Sequence, residues 1–267
     1  MRVSIPWLAL LLCGCARACG LEGEYVLDGA GGAGGAGNAS RSPIAHYPLD
    51  EADGVVARDV ASALDGTLHG GTTWRPDGGK IGGALELDGL MGHVQLGTHD
   101  AFDFGAGDFS ITLWLRFPSM DNLSDWVLVQ HGNVNEAYYK MGLSYQRANG
   151  RRVTFDLDDG MTELSTPLVC KFYFDDQLEQ WFLFAVVRTE GDLSLYVNGL
   201  LWSRTTIPPI DVSTTHETTL GMSPGNLLPF PGRLDDVRFY DVALTADEVA
   251  ELYEAVEPPW QLPSCAE

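Results

Sequence analysis

Positive charge is scarce in this sequence. Its 267 residues include 16 Lys and Arg against 37 Asp and Glu, which gives a formal net charge of −21 at pH 7. A surface this negative repels phosphate backbones and anionic lipids, so nucleic-acid binding is excluded as a function class. The same charge is compatible with cations, neutral glycans and an extracellular setting.

Motifs that name a catalytic class are also missing. The sequence has no Walker phosphate loop, no His-Glu-x-x-His and no Gly-x-Ser-x-Gly, and its six histidines lack neighbouring nucleophile motifs. The segment 156–160 begins like an EF-hand calcium loop. However, Met161 and Pro167 stand where that loop requires Gly and Glu. We therefore interpret this segment as a hairpin turn.

Long apolar runs are absent, apart from one short run near the N-terminus. Residues 5–13 follow Arg2, are too few to span a bilayer, and are typical of an export signal. The run ends in Leu-Cys-Gly-Cys, which resembles the bacterial lipoprotein box. This resemblance implies removal of residues 1–14 as a signal peptide and acylation of Cys15, with simple export as the alternative. Ala16 then favours the outer membrane or cell surface, with membrane contact only through the lipid.

The segment 15–43 is predicted to be a flexible, lipid-anchored linker. It contains the run GAGGAGGAG at positions 29–37, which has no side chains that could form a core. A flexible chain of sixteen residues with this composition has a root-mean-square end-to-end distance of roughly 20–25 Å. We expect this linker to hold a folded domain away from a membrane surface.

The five cysteines leave room for at most one internal disulfide. Cys13 leaves with the signal peptide, and an acylated Cys15 is no longer a thiol. Cys19, Cys170 and Cys265 remain, and export would permit a bond between two of them. We predict the pair Cys170–Cys265, because Cys19 lies in the linker. No two cysteines have the spacing of zinc ligands.

Beyond residue 44 the sequence is dominated by strand patterns. Apolar residues alternate over 109–117 and 153–157, which predicts strands with one buried and one half-exposed face. The unbroken apolar run 181–187 indicates a strand covered on both faces. A further strand ends at Asn198-Gly199, a pair typical of a type I′ hairpin turn.

One helix is predicted, near the C-terminus. Thr245 and Glu248 form a capping box, and Leu244 and Val249 flank it as a hydrophobic staple. Many strands, one short helix and no alternation of strands with helices predict an all-β fold. We expect an antiparallel β-sandwich with one short C-terminal helix.

Seven sequence segments, taken in order, carry a family resemblance. They are Ile44–Glu51, Asp65–Leu68, Gly82–Gly89, Phe109–Trp114, Trp181, Tyr196–Gly199 and Gly232–Val249. Together they resemble the laminin-G-like (concanavalin A-like) jelly-roll domains of bacterial surface proteins. The resemblance covers 44–256 and leaves 257–267 as a C-terminal tail. It implies two antiparallel sheets packed face to face, with the first and last strands adjacent.

The resemblance also implies a candidate calcium site. Jelly rolls of this class often carry a structural Ca²⁺ where the first and last strands meet, which would place Asp50 and Asp235 at the ion. Two carboxylates do not fill the coordination shell of Ca²⁺, so carbonyls and water would complete it. In the alternative, Asp50 caps a turn and Asp235 pairs with Arg233, Arg238 or backbone N–H groups.

Aromatic residues are the remaining candidates for ligand binding. Trp126, Tyr138 and Tyr139, with Trp74 and Trp202, lie near predicted loops or strand ends. An exposed aromatic face can stack on the apolar face of a sugar. Ordinary packing in the core or at a strand edge is the alternative for each of them.

The sequence does not favour an enzyme. Jelly-roll glucanases related to this family carry Glu-x-Asp-x-x-Glu, but Met91 follows Glu86-Leu87-Asp88 and Val56 follows Glu51-Ala52-Asp53. We therefore predict a non-catalytic extracellular module that binds a glycan or a surface protein, possessing at most a Ca²⁺ cofactor. A purely structural or adhesive spacer is the alternative, and a carbohydrate-active enzyme is less favoured.

Overall fold

The computed structural model describes residues 41–117, 125–133, 136–146, 150–167, 179–225 and 227–258. The predicted signal peptide, Cys15, nearly all of the linker, Cys170 and Cys265 lie outside these residues. Lipidation of Cys15 and the Cys170–Cys265 disulfide therefore stay predictions. Within the described ranges, no helix combines the length and apolar character needed to cross a membrane.

Sixteen β-strands and one α-helix are found in the described residues. The strands are β1 Ala45–Tyr47, β2 Val56–Ala57, β3 Gly66–His69, β4 Thr72–Arg75, β5 Ala84–Asp88, β6 His93–Gly97, β7 Phe109–Arg116, β8 Trp126–Gly132, β9 Ala137–Gln146, β10 Gly150–Asp159, β11 Glu163–Pro167, β12 Trp181–Thr189, β13 Asp192–Val197, β14 Leu200–Thr206, β15 Thr218–Leu220 and β16 Pro231–Tyr240. A 3-10 helix, Asp100–Phe102, precedes β7, and helix α1, Ala246–Glu254, follows β16. The predicted all-β class is confirmed.

The strands form two antiparallel sheets. The first sheet has the order β14-β13-β12-β7-β16-β5-β4, with β1 also paired to β16. The second sheet has the order β11-β10-β9-β8-β15-β6-β3-β2. This arrangement confirms the predicted antiparallel sandwich and the adjacency of the first and last strands.

Aromatic side chains fill one part of the core between the sheets. Phe109 of the first sheet lies 5.5 Å from the Tyr139 ring of the second sheet, centroid to centroid. Phe104 stacks against both rings, and Phe155 lies 6.3 Å from Tyr139. Such contacts add to the hydrophobic free energy of burying each ring. They tie the two sheets together at this position.

Helix α1 covers the outer face of the first sheet. Tyr253 stacks on Trp114 of β7 at 5.6 Å between ring centroids. Ser110, also on this face, donates to a carbonyl of the segment before α1 and accepts the N–H of Leu244. Both Ser110 and Trp114 are buried. The prediction that one face of β7 is half-exposed is therefore wrong, because the C-terminal segment covers that face.

Local sequence signals for turns and caps are confirmed. Asn198 and Gly199 both have left-handed φ angles, +50° and +82°, in the turn between β13 and β14. At the start of α1, the Thr245 side chain accepts the N–H of Glu248, and the Glu248 carboxylate accepts the N–H of Thr245. The Asp159 carboxylate accepts two N–H groups in the β10–β11 turn. This last segment is a hairpin turn, as predicted.

Candidate functional site

Strand β16 carries a bulge at its two consecutive aspartates. Its register against β7 shifts between Asp235 and Arg238, and Asp236 has a φ of +49°. The Asp236 carboxylate lies 2.6 Å from His46 Nε2 and 2.9 Å from an Arg238 guanidinium nitrogen. Burial alone would raise the pKa of Asp236, but these two partners hold it below its usual value. Asp236 is therefore a satisfied, ionised structural group.

Among the described residues, Asp235 has no such cationic partner. Its side chain is fully buried, and its Oδ2 accepts the backbone N–H groups of Lys80 (2.6 Å) and Ile81 (2.8 Å). Its Oδ1 is buried without a hydrogen-bond partner in the described part of the chain. A buried carboxylate oxygen without a partner is costly. Among the described residues, this atom and Glu51 Oε2 are buried carboxylate oxygens without a hydrogen-bond partner.

Burial dominates the electrostatics of Asp235. It raises the pKa of the carboxyl to about 7, and the negative charges of Asp236 and Asp50 act in the same direction. The two N–H donors in the 79–83 loop lower the pKa but do not outweigh burial. A nearby cation would favour the ionised form.

The loop 79–83, which we call the glycine loop, brings Asp50 and Asp235 together. Asp50 Oδ1 accepts the N–H of Gly83 at 2.6 Å, and Asp235 accepts the N–H groups of Lys80 and Ile81 in the same loop. Gly82 has a φ of +67°, and a Cβ there would lie 2.5 Å from Asp50 Oδ1. A Cβ at Gly79 would lie 1.7 Å from the Gly83 carbonyl oxygen. Only glycine fits at Gly79 and Gly82.

Asp50 and Asp235 therefore bind the same loop through backbone N–H groups, and a calcium ion between them stays a prediction. No cluster of three or more His, Cys, Asp or Glu side chains suited to a metal occurs in the described ranges. The donors that fit a hard cation here are the free Oδ1 of Asp235, the second oxygen of the exposed Asp50 carboxylate, and backbone carbonyls.

Trp126, Tyr138 and Tyr139 do not form an exposed platform. Their exposed fractions are 2%, 3% and 0%. Trp126 packs edge-on against Phe230, and the Tyr138 hydroxyl donates to Glu163 at 3.1 Å. Tyr139 lies in the core between the sheets. The stacking role predicted for these three residues is corrected, because none has a ring face open to a sugar.

The sequence held a signal that could have prevented this error. Tyr139, Met141 and Leu143 alternate with other residues, the pattern of a half-buried strand, and all three are buried in β9. The run Trp126–Gly132 is buried throughout as β8. These residues lie within strands rather than in loops.

Register in the second sheet reveals a feature that sequence analysis missed. Outward-facing polar residues of six neighbouring strands pair across the sheet, and we call them the polar row. They are Thr67, Gln95, Thr219, Gln130, Lys140 and Asp156. The next row, on the inner face, is apolar. The second sheet thus has one core face and one polar face.

The middle of the polar row is covered by the segment after β15. Ser223 Oγ donates to Gln130 Oε1 at 2.6 Å, and Thr219 Oγ1 donates to the Met222 carbonyl at 2.6 Å. Both Gln130 and Thr219 are buried. These hydrogen bonds satisfy the polar groups that the segment removes from solvent.

The two ends of the polar row differ in their exposure to solvent. Thr67 and Gln95 are exposed, and the Gln95 amide donates to the Glu217 carboxylate beside β15. At the other end, Lys140 Nζ lies 2.7 Å from Asp156 Oδ2, and Asp156 is buried. The end formed by β3 and β6 is therefore open to a ligand that seeks hydrogen bonds.

One buried histidine accompanies this sheet. His131 stacks on Tyr139 at 5.1 Å, and its Nδ1 lies 2.9 Å from Thr218 Oγ1. Burial lowers its pKa to about 4, and the nearby His216 acts in the same direction. His131 is therefore a neutral packing residue at pH 7. Its spacing in sequence carried no signal of this role.

Comparison with known families identifies the group to which this architecture belongs. The model of the concanavalin A-like lectin/glucanases superfamily matches residues 88–250, more than half of the chain. The chain belongs to the concanavalin A-like lectin/glucanases superfamily. The predicted resemblance is confirmed. No curated protein matches the chain in sequence.

Solved structures similar to this chain include the following three domains. The binding domain of Paraclostridial Mosquitocidal Protein 1 has a TM-score of 0.66 and 16% identity, and the match covers 80% of this chain and 52% of that one. A second structure is Domain 4 of AbnA, an extracellular GH43 arabinanase from Geobacillus stearothermophilus, in complex with arabinotriose. It has a TM-score of 0.60 and 22% identity, and the match covers 79% of this chain and 98% of that one.

The third is the receptor binding domain of the botulinum neurotoxin C/D mosaic serotype. It has a TM-score of 0.60 and 15% identity, and the match covers 80% of this chain and 51% of that one. The chain thus spans about half the length of the toxin domains that it matches. At these identities the similarity establishes a shared fold.

Proposed function

We propose that this superfamily member is a non-catalytic extracellular binding module that recognises a neutral glycan or a glycan-bearing surface partner. The observation that carries the proposal is the exposed end of the polar row, at Thr67 and Gln95. The complex of arabinotriose with a domain of the same fold supports it.

The chemistry of the open end suits sugar hydroxyl groups. A hydroxyl can donate and accept, and the Gln95 amide and Thr67 hydroxyl can do the same. The carboxylate of Glu217, held by Gln95, adds a charged acceptor. The net charge of −21 repels acidic glycans, so neutral sugars are the favoured class.

Replacing Thr67 and Gln95 together by alanine will weaken glycan binding on the order of tenfold. Each lost hydrogen bond is worth about 0.5–1.5 kcal/mol, and 1.4 kcal/mol corresponds to about tenfold in affinity. A glycan array identifies the sugar, with arabinotriose as one probe, and calorimetry gives the affinity.

Thr206→Ala is the matched control, because Thr206 is also exposed but lies on β14 of the first sheet. An equal loss in the control would contradict the assignment of the site. No glycan binding but capture of a surface protein would replace the glycan with a protein partner. No binding of either kind would favour the structural spacer.

Ion pairing of Glu86 supports the non-catalytic assignment. Glu86 lies in one of the two segments compared with the glucanase motif, and its carboxylate binds Arg75 at 2.9 Å and Arg233 at 2.7 Å. Arg75 first and then Arg233 lower its pKa. A general acid requires the opposite shift. The Asp88 carboxylate in the same segment accepts three backbone N–H groups of its own loop.

We also propose that the mature chain begins at an acylated Cys15 and is anchored in the outer membrane or at the cell surface. The support is the Leu-Cys-Gly-Cys sequence at positions 12–15 and the glycine-rich linker after it. Lipid labelling of cells will mark the wild-type protein and not Cys15→Ala, which will fractionate away from membranes. Labelling of the variant at the wild-type level would contradict the anchor site.

A structural calcium ion is the third part of the proposal. Asp50 and Asp235 would hold it at the glycine loop, with carbonyls and water completing its shell. The unpartnered Oδ1 of Asp235 and its raised pKa support a cation here. When bound, the ion supplies positive charge that compensates the buried carboxylate and joins the first and last strands.

A further inference from the structure

Two histidines lie side by side on the outer face of the second sheet. His69 of β3 and His93 of β6 are directly paired across neighbouring antiparallel strands. Their rings are 5.0 Å apart between centroids and inclined by 18°. His69 is exposed and His93 is partly exposed. The pair is separate from Asp50 and Asp235, which lie at the glycine loop next to the first sheet.

The hydrogen bond of His93 fixes which ring nitrogen is free. Its Nδ1 lies 3.0 Å from the carbonyl oxygen of Met91. A carbonyl can only accept, so Nδ1 carries the hydrogen and Nε2 keeps a lone pair in the neutral ring. Metal-binding histidines usually have this arrangement, with the second nitrogen donating to a carbonyl or carboxylate.

The His69 ring is free to turn towards a metal cation bound at His93 Nε2. It makes no hydrogen bond or ion pair with any residue that the structure describes. Two imidazole nitrogens bound to one tetrahedral cation lie roughly 3.3 Å apart, since each metal–nitrogen bond is about 2.0–2.1 Å. Centroids 5.0 Å apart allow this separation after a modest rotation of one ring.

Hydrogen bonds and close backbone packing hold the segments beside the pair. Asp88 Oδ1 accepts the N–H groups of Leu90, Met91 and Gly92, which fixes the loop before His93. A Cβ at Gly70, the residue after His69, would lie 2.1 Å from the Met91 carbonyl oxygen. The two histidines therefore start from a fixed spacing, and little order has to be created on binding.

We propose that His69 and His93 form a two-histidine chelate for a divalent first-row transition-metal cation, such as Ni²⁺ or Zn²⁺. Imidazole nitrogen is a preferred ligand for these metals. The Asp88 carboxylate, next to Gly71 and Gly92, and the net charge of −21 add favourable potential for a cation. The remaining coordination positions face solvent and are open to water or to a group on a bound partner.

Calorimetric titration of the full chain with NiCl₂ and with ZnCl₂ tests the chelate. We expect one strong site per chain, and we expect His69→Gln or His93→Gln to weaken it about 100-fold, because the second ligand no longer binds intramolecularly. In NMR spectra, Ni²⁺ will broaden the ring signals of these two histidines first. The side chains of His69 and His93 are at least partly exposed, so replacing either one leaves the core intact.

His99→Gln is the matched control, and we expect it to bind Ni²⁺ as the wild type does. The proposal would be overturned by the absence of a strong site in the wild type. Equal affinity in wild type and both pair variants, or an equal loss in His99→Gln, would overturn it as well.

Discussion

Tyr139→Ala will lower the free energy of unfolding by about 3–5 kcal/mol, the range for large aromatic side chains removed from a core. Tyr139 has no exposed surface, and its ring contacts Phe104, Phe109, His131 and Phe155. Alanine leaves a cavity between the sheets that these rings cannot fill without moving. Urea or guanidinium unfolding, followed by fluorescence and circular dichroism, measures the change.

The conservative variant separates packing from hydrogen bonding. Tyr139→Phe keeps the ring and removes only the donation from the hydroxyl to the Phe102 carbonyl oxygen, 3.1 Å away. We expect a loss of about 1 kcal/mol and unchanged glycan binding. Two results would return this residue to a ligand-binding role. One is a decrease below about 1 kcal/mol in the free energy of unfolding of Tyr139→Ala, and the other is a selective loss of sugar binding in Tyr139→Phe.

Calcium will stabilise the wild-type protein, and Asp235→Asn will remove this effect. An ion that binds only the folded state at 100 times its Kd adds about 2.7 kcal/mol to the free energy of unfolding. Asparagine keeps an acceptor for Lys80 and Ile81 but places an uncharged amide at the position of the unpartnered oxygen. Thermal unfolding in EDTA and in saturating calcium compares the two proteins.

Glu190→Gln serves as the charge control in this experiment. It removes one negative charge from an exposed turn of the first sheet, away from the glycine loop. We expect its calcium response to equal that of the wild type. A wild type that melts at the same temperature in both buffers would rule the calcium site out. So would an Asp235→Asn variant that responds fully.

Elements with local causes could be predicted from the sequence. The type I′ turn at Asn198-Gly199 depends on two residues that tolerate positive φ, and the start of α1 depends on Thr245 and Glu248 three residues later. Both signals act within a few residues. The alternation in β7 also gave its extent, although the cover on its outer face comes from residues more than 130 positions later.

The candidate sites depend on pairings that the sequence does not display. Asp235 meets the glycine loop across a sequence separation of 155 residues at Lys80. The bulge that follows Asp235 in β16 appears only in the register against β7. The family resemblance, rather than the pattern itself, singled out Asp50 as its neighbour.

The polar row illustrates the same limit more strongly. Its members extend from Thr67 to Asp156 and come together only when six strands take their register. A shift of one residue in any strand would exchange its core and outer faces. The aromatic candidates failed for a related reason, because the strands β8 and β9 that bury Trp126 and Tyr139 were not recognised.

The position of helix α1 makes the module one-sided. The helix closes the back of the first sheet through Tyr253 and Trp114, and Arg41 binds Glu248 of the helix at 3.1 Å. Helix α1 and Arg41 lie on the face opposite the polar row, so a large partner can approach the polar row without displacing the helix.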